Sequence, residues 1–224
     1  PIYILGTRSH QIASETIENI THSSTIATMQ QTNKYISLIL KNVEDISMQL
    51  LSNKTLQDLY KLDLSSGTFT YEAMTLKQDA TSFISNLMQS SDFISSITIL
   101  VDDKNTITAG NTSFYNTNWK EVYESEWYKK AMSANGKNVW VGTHPEIDST
   151  TSATNYIFSS VRLYKNITTG KNVGLLIIDV DLKSIEQVLR GIQIGTSGRL
   201  HLLTPDDKDI SFSDDMSREF EMSM

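Results

Sequence analysis

The chain has 224 residues, 39% of them apolar, which suits one large domain or two small ones with a modest core. Its 19 Lys and Arg against 26 Asp and Glu leave a net charge of −7, which argues against a nucleic-acid or anionic-membrane surface. With no cysteine, disulfide frameworks, thiolate zinc sites and cysteine nucleophiles are excluded.

A chain that starts at Pro1 rather than Met reads as a fragment. Its first apolar run, Ile2-Tyr3-Ile4-Leu5, is readable as the outer end of a transmembrane helix or as a loose terminus. No run approaches the roughly 18–20 apolar residues of a membrane span. Between Gly6 and Gly67 there is neither glycine nor proline. Met29, Ile36, Val43 and Leu50 recur every seven residues there, with Ile39 and Ile46 three after two of them. This is an a/d stripe, and it predicts a helix from about Arg8 to Tyr60, roughly 80 Å long at 1.5 Å per residue. Ile12, Ile17 and Ile20 are out of phase with the stripe, so a coiled coil would be interrupted near Thr21–Ser24. Such a helix is too long for a compact core and is expected to act as a stalk or spine.

Ser65-Ser66-Gly67 marks a turn, after which Tyr71 to Ser90 returns to helical spacing with Met74, Phe83, Leu87 and Met88 as candidate inner residues. Phe93 to Val101 reads as a strand, Asp102-Asp103-Lys104-Asn105 as its turn, and Thr106 to Ala109 as the returning strand. Asn118 to Ala131 reads as one amphipathic helix with Trp119, Val122, Tyr123 and Trp127 inward, capped by Asn135-Gly136. Strands follow at Asn138–Val141, Asn155–Tyr164 and Lys171–Val180, the last two joined by the Asn166–Gly170 turn. The expected fold is α+β, a five-stranded antiparallel sheet with helical cover.

After a short helix at Leu182–Arg190, the segment Leu202-Leu203-Thr204-Pro205-Asp206-Asp207-Lys208 repeats the strand-turn pattern around Asp102-Asp103-Lys104. Repetition at this distance implies a duplicated module whose second copy is cut short. The expected division is a spine helix over 1–62, a first module over 63–182 and a linker helix with a partial second module over 183–224.

This order resembles the double Cache extracellular sensor domains of bacterial receptors, with a PAS-like module on a spine helix. The resemblance is most specific at Glu126-Trp127-Tyr128-Lys129-Lys130-Ala131, at Gly174-Leu175-Leu176-Ile177-Ile178-Asp179-Val180-Asp181-Leu182, and in the repeat. Gln30 to Tyr35 and Asp45 to Leu50 are similar to helix stretches of Gram-positive methyl-accepting chemotaxis receptors. The resemblance implies that the membrane-distal module binds a small molecule, often an amino acid. It also implies a homodimer through the N-terminal helix, and an extracellular position on a membrane-embedded parent protein. Within the amino-acid-binding subset, Trp127, Tyr128, Asp148 and Asp179 match the motif. Ser125 stands where a carboxylate-binding Arg is expected, Lys120 falls near the upstream Tyr, and Glu146 replaces the loop Tyr. The part that would hold an amine is present and the part that would hold a carboxylate is not, Arg162 on the adjacent strand being the one plausible substitute. A cationic or neutral polar ligand therefore fits better than a plain α-amino acid.

Each of these residues has a plainer reading. Asp179 shares a strand face with Leu175 and Ile177 and could be a solvated strand-end acid. Trp127 and Tyr128 could be core, about 100° apart on a helix so that one points inward more than the other. Asp148 could be a turn residue. His10, His22, His144 and His201 lie far apart, and no P-loop, dinucleotide or nucleophile-elbow pattern occurs, so no metal, cofactor or catalytic constellation is expected. The chain reads as a chemoreceptor sensing domain, not an enzyme. A histidine kinase or cyclase receptor, or a non-binding stalk or adhesion module, is the alternative.

Overall fold

The computed structural model describes residues 2–61, 70–101, 106–110, 119–145, 156–190, 202–203 and 209–210. The predicted spine is present as α1 (Ile2–Ser52), 51 residues without a break at Thr21–Ser24. It stops at Asn53, which is extended and whose side-chain oxygen accepts the Leu56 N–H at 3.0 Å, starting α2 (Lys54–Leu59). Asparagine bonds its own backbone readily, which makes it a better cap than interior residue. Next comes α3 (Tyr71–Gln89), opened by the Thr70 side chain on the Ala73 N–H. No helix among the described residues is long and apolar enough to cross a membrane.

Five strands form one antiparallel sheet in the order β2-β1-β5-β4-β3. They are β1 (Ile94–Leu100), β2 (Thr106–Gly110), β3 (Val139–Pro145), β4 (Tyr156–Lys165) and β5 (Asn172–Asp181). The turn between β4 and β5 closes on Asn166, whose carbonyl accepts the Gly170 N–H and whose side chain accepts those of Thr168 and Thr169. At Gly174 a Cβ would run into the Leu100 carbonyl, so glycine is what lets β5 lie close to β1 there. After β5, the Asp181 carboxylate accepts the Lys183 and Ser184 N–H groups and opens α6 (Leu182–Arg190). A two-residue ladder, β6 (Leu202–Leu203) with β7 (Asp209–Ile210), stands where the second hairpin was expected, while its Asp206-Asp207-Lys208 turn lies outside the described residues.

The sheet is buried on both faces. Ile97, Ile99, Phe158, Tyr164, Leu176, Ile178 and Val180 face α1 and α3. Against them pack Ile36, Ile39, Val43, Ile46 and Leu50, all at or below 7% exposure. The heptad stripe is thus filled within the chain's own core from Ile36 onward. A periodic apolar row tells that a face is buried but not by what. Upstream the helix leaves the core: Ile12, Ile17 and Ile20 are each more than 60% exposed. Met74 is also exposed, because Leu76, Ala80, Phe83, Ile84 and Leu87 form the inner row of α3 and it lies well off that row.

Gln57 ties the spine to the sheet. Its amide donates to the Leu51 and Lys165 carbonyls and to the Tyr164 hydroxyl, and its oxygen accepts the Ile167 N–H. A buried side-chain amide with donors and acceptor all used fixes one arrangement of its neighbours.

Candidate functional site

The helix expected over Asn118–Ala131 is two helices, α4 (Trp119–Glu124) and α5 (Glu126–Ser133). Ser125 makes the break. Its backbone is extended, its hydroxyl donates to the Val122 carbonyl at 2.6 Å, and its oxygen accepts the Tyr128 N–H at 3.3 Å. Serine at this point satisfies the ends of both helices at once. Ser125, predicted as a ligand residue, therefore serves as a cap.

Reorientation at Ser125 lays α5 on the sheet face opposite α1. Ala131 is fully buried there, with Trp127 and Tyr128 half-buried on Leu100, Val161, Leu163, Leu175 and Ile177. Both aromatic rings reach the sheet side, although their helical positions are about 100° apart. They meet edge to face at 6.1 Å, and Tyr123 meets Tyr128 likewise at 5.3 Å. Tyr123 is a third member of the aromatic group, and helical spacing places it on the same side as Trp127. Lys120, by contrast, is exposed and only 4.0 Å from Glu124 on the helix surface.

Asp179 lies on this same face. Side chains along β5 alternate, so Leu175, Ile177 and Asp179 point together, and Asp179 is about 7 Å along the strand from Ile177. It is 4% exposed and sits inside the strand, since β5 continues to Asp181. That corrects the alternative of a solvated strand-end acid. In register, Asp179 stands between Ser96 of β1 and Ser159 of β4. The Ser96 hydroxyl donates to one carboxylate oxygen at 2.5 Å and the Ser159 hydroxyl to the other at 2.6 Å. A buried carboxylate is costly unless hydrogen-bonded, and two hydroxyl donors on central strands offset that cost. One row away, the Thr98 and Thr108 hydroxyls lie 3.2 Å apart. The sheet face under α5 is thus apolar at one end and lined by hydroxyls and a carboxylate at the other.

Ser96 and Ser159 were not singled out from the sequence. The available signal was small polar residues at period two inside strands otherwise too apolar to need them: Ser96 and Thr98 between Ile94, Ile97 and Ile99.

Arg162 does not join this face. Its neighbours in parity, Phe158 and Tyr164, point to α1, and so does Arg162. Its guanidinium donates to Ser47 of α1 at 3.0 Å and to the Gly136 carbonyl at 2.7 Å. Burial lowers its pKa from the ordinary value, and the Glu44 charge opposes that. It is not available as a substitute carboxylate grip beside Trp127. Asp148 and Glu146 lie outside the described residues. Trp127, Tyr128 and Asp179 are on one side of the sheet, and Arg162 is on the other. A separate shallow groove of about 590 Å³ runs along α3 past Met74, Gln78, Thr81 and Ser85, on the α1 side of the sheet.

No family model and no curated protein matches the sequence. Solved structures do. A domain of a sensory box/GGDEF family protein from Vibrio parahaemolyticus is 16% identical with a TM-score of 0.63, over 88% of this chain and 73% of that one. The extracellular domain of a histidine kinase, vpHK1S-Z8, is 16% identical with a TM-score of 0.55, over 78% and 62%. The ligand-binding domain of the Pseudomonas aeruginosa amino-acid chemoreceptor PctC, solved with GABA, is 14% identical with a TM-score of 0.54, over 84% and 73%. The fold of this chain, a long N-terminal helix and a five-stranded antiparallel sheet with helices, is the α+β Cache-like fold shared by these sensory domains.

Proposed function

We propose that this chain is the extracellular ligand-sensing region of a bacterial transmembrane receptor, with its ligand held on the α5 face of the sheet. The carrying observation is that buried Asp179, gripped by Ser96 and Ser159, shares that face with Trp127 and Tyr128. An aromatic face covers a cationic group with about 0.5–2 kcal/mol, and a carboxylate adds a charge-assisted hydrogen bond. Ser125 is committed to capping and Arg162 to the opposite face. The ligand is accordingly a small polar molecule, an amine or an amino acid or related metabolite, whose cationic or donor group is recognised and whose carboxylate is not obligatory. The solved chemoreceptor domain with GABA lends support, since GABA carries its amine far from its carboxylate.

In the double Cache reading this is the membrane-distal module, and α1 passes the signal toward the membrane as a shift between two packings. A chemotaxis receptor is the first output. A kinase or GGDEF output is the second, as in two of the similar structures named above. No catalytic step is assigned to this region.

The test is a thermal-shift screen of amines and amino acids, with and without carboxylates, followed by calorimetry on Asp179→Asn. A true ligand at 100 times its dissociation constant adds about 2.7 kcal/mol, a rise of roughly 5–10 °C for a chain of this size. Asp179→Asn should then lose at least about tenfold in affinity. Wild-type affinity in that variant would put the site elsewhere.

A further inference from the structure

Trp127 and Tyr128 lie on one face of the sheet and α1 on the other, so a signal between them has to cross a packed layer. Arg162, on the α1 side of the sheet, bonds both α1 and the turn into which α5 runs. Arg162 of β4 donates from Nη1 to the Ser47 hydroxyl of α1 at 3.0 Å, with Met48 Sδ at 3.3 Å. From Nη2 it donates to the Gly136 carbonyl at 2.7 Å. Gly136 belongs to the turn that ends α5, where Asn135 and Gly136 both take left-handed backbone, with φ of 54° and 92°. That turn is pinned to β4 a second time, by Lys165 Nζ on the Asn135 carbonyl and side chain at 3.0 and 2.6 Å.

Both ends of the Arg162 bridge are stiff. Ser47 is fully buried, and its own hydroxyl proton goes to the Glu44 carbonyl at 2.7 Å, so its oxygen faces Arg162 as an acceptor in a defined direction. At the other end, α5 is eight residues, about 12 Å of helix with Trp127 near its start and the gripped turn just past its end. A displacement of the aromatic end therefore moves Gly136 as a lever arm. The planar guanidinium is suited to the task because it spans two acceptors at once, which a lysine ammonium does poorly.

We propose that Arg162 is a positioning residue that couples the α5 face to the spine: movement of α5 over the sheet shifts the Gly136 carbonyl and, through Arg162, the packing of α1 around Ser47. The proposal rests on the reading of the α5 face as the ligand site, but its test needs no ligand. Trp127→Ala loosens α5 from its face, and amide hydrogen exchange on the whole chain reads the response of α1. With Arg162 in place, Trp127→Ala should speed exchange over residues 44–50 about fivefold, the scale of losing one such hydrogen bond.

With Arg162→Met, α5 should still respond and α1 should not. Arg162→Lys should fail to restore the α1 response, since charge alone does not span both anchors. Should Arg162→Met not fold, the pair Ser47→Ala with Met48→Leu removes only the α1 anchor and should uncouple in the same way. An α1 response of equal size in these variants, or none in the presence of Arg162, overturns the coupling. A metabolite screen without a hit would instead overturn the sensing reading and leave the coupling as measured.

Discussion

Two buried tyrosines differ by one partner. The Tyr164 hydroxyl receives the Gln57 amide at 3.2 Å, whereas the Tyr60 hydroxyl is buried with no hydrogen-bond partner among the described residues, its ring edge to face with Tyr164 at 5.4 Å. Tyr164→Phe should cost about 1 kcal/mol, and Tyr60→Phe should be neutral or stabilising by up to about 1 kcal/mol. Chemical denaturation of both variants checks the contrast. Burial raises both phenols above the ordinary tyrosine range, with Tyr164 adding to the shift of Tyr60 and Gln57 opposing that of Tyr164. The sign follows directly: below about pH 10 both states keep the proton, and above it the unfolded chain alone releases it. The tyrosines' share of stability should be flat up to about pH 10 and fall beyond, less steeply in Tyr60→Phe. An identical alkaline limb in that variant would refute the cause. At Asp179, replacement by Ala removes the acceptor of both serine hydroxyls and should cost about 2 kcal/mol, with Asn costing less because one acceptor remains. Thermal denaturation of the pair decides whether the serines stabilise the carboxylate.

At the level of elements, Val43→Asp puts an unpaired charge at a fully buried point of α1 and should cost more than about 3 kcal/mol. Ile17→Asp, on the exposed half, should change monomer stability by less than about 0.5 kcal/mol. Equal costs, measured by denaturant unfolding, would mean that the two halves of the helix are not in different environments. The elements themselves were legible because period and punctuation agree along the chain. Sixty residues without Gly or Pro gave the spine, and alternation with Asn-Gly and Asn-Ile-Thr-Thr-Gly turns gave the strands. What the periodicity hid were the caps. Asn53 and Ser125 each interrupt an apolar row that reads as continuous, since a cap acts through one local hydrogen bond that leaves the row's spacing unchanged.

For the whole molecule, the harder question was which faces meet. Parity along β4 and β5 already separates Arg162 from Asp179. Yet parity cannot say that β1 and β4 flank β5, which is what puts Ser96 and Ser159 on either side of one carboxylate. The same limit hid the partner of the heptad stripe. With Ile36 to Leu50 taken up within the chain, we propose the upstream half as a surface for a second copy, since exposed Ile17 and Ile20 lie three residues apart on one side. Ile17→Asp combined with Ile20→Asp should raise the dissociation constant of a dimer at least about tenfold in sedimentation without altering the monomer's unfolding. Unchanged sedimentation would remove this half from the interface.

The upstream half of α1 has a further consequence. Eight of the twenty residues from Ile12 to Gln31 are β-branched isoleucine or threonine, poor helix formers with little but water around them. Such a stretch is marginal as an isolated helix, and its order is inherited turn by turn from the buried end. Its helical order would then depend on what holds Leu50 at the buried end and on what meets Ile12 at the other. Lengthening or shortening the ordered part by a single turn moves its tip about 5 Å, so the rod measures how firmly its base is held.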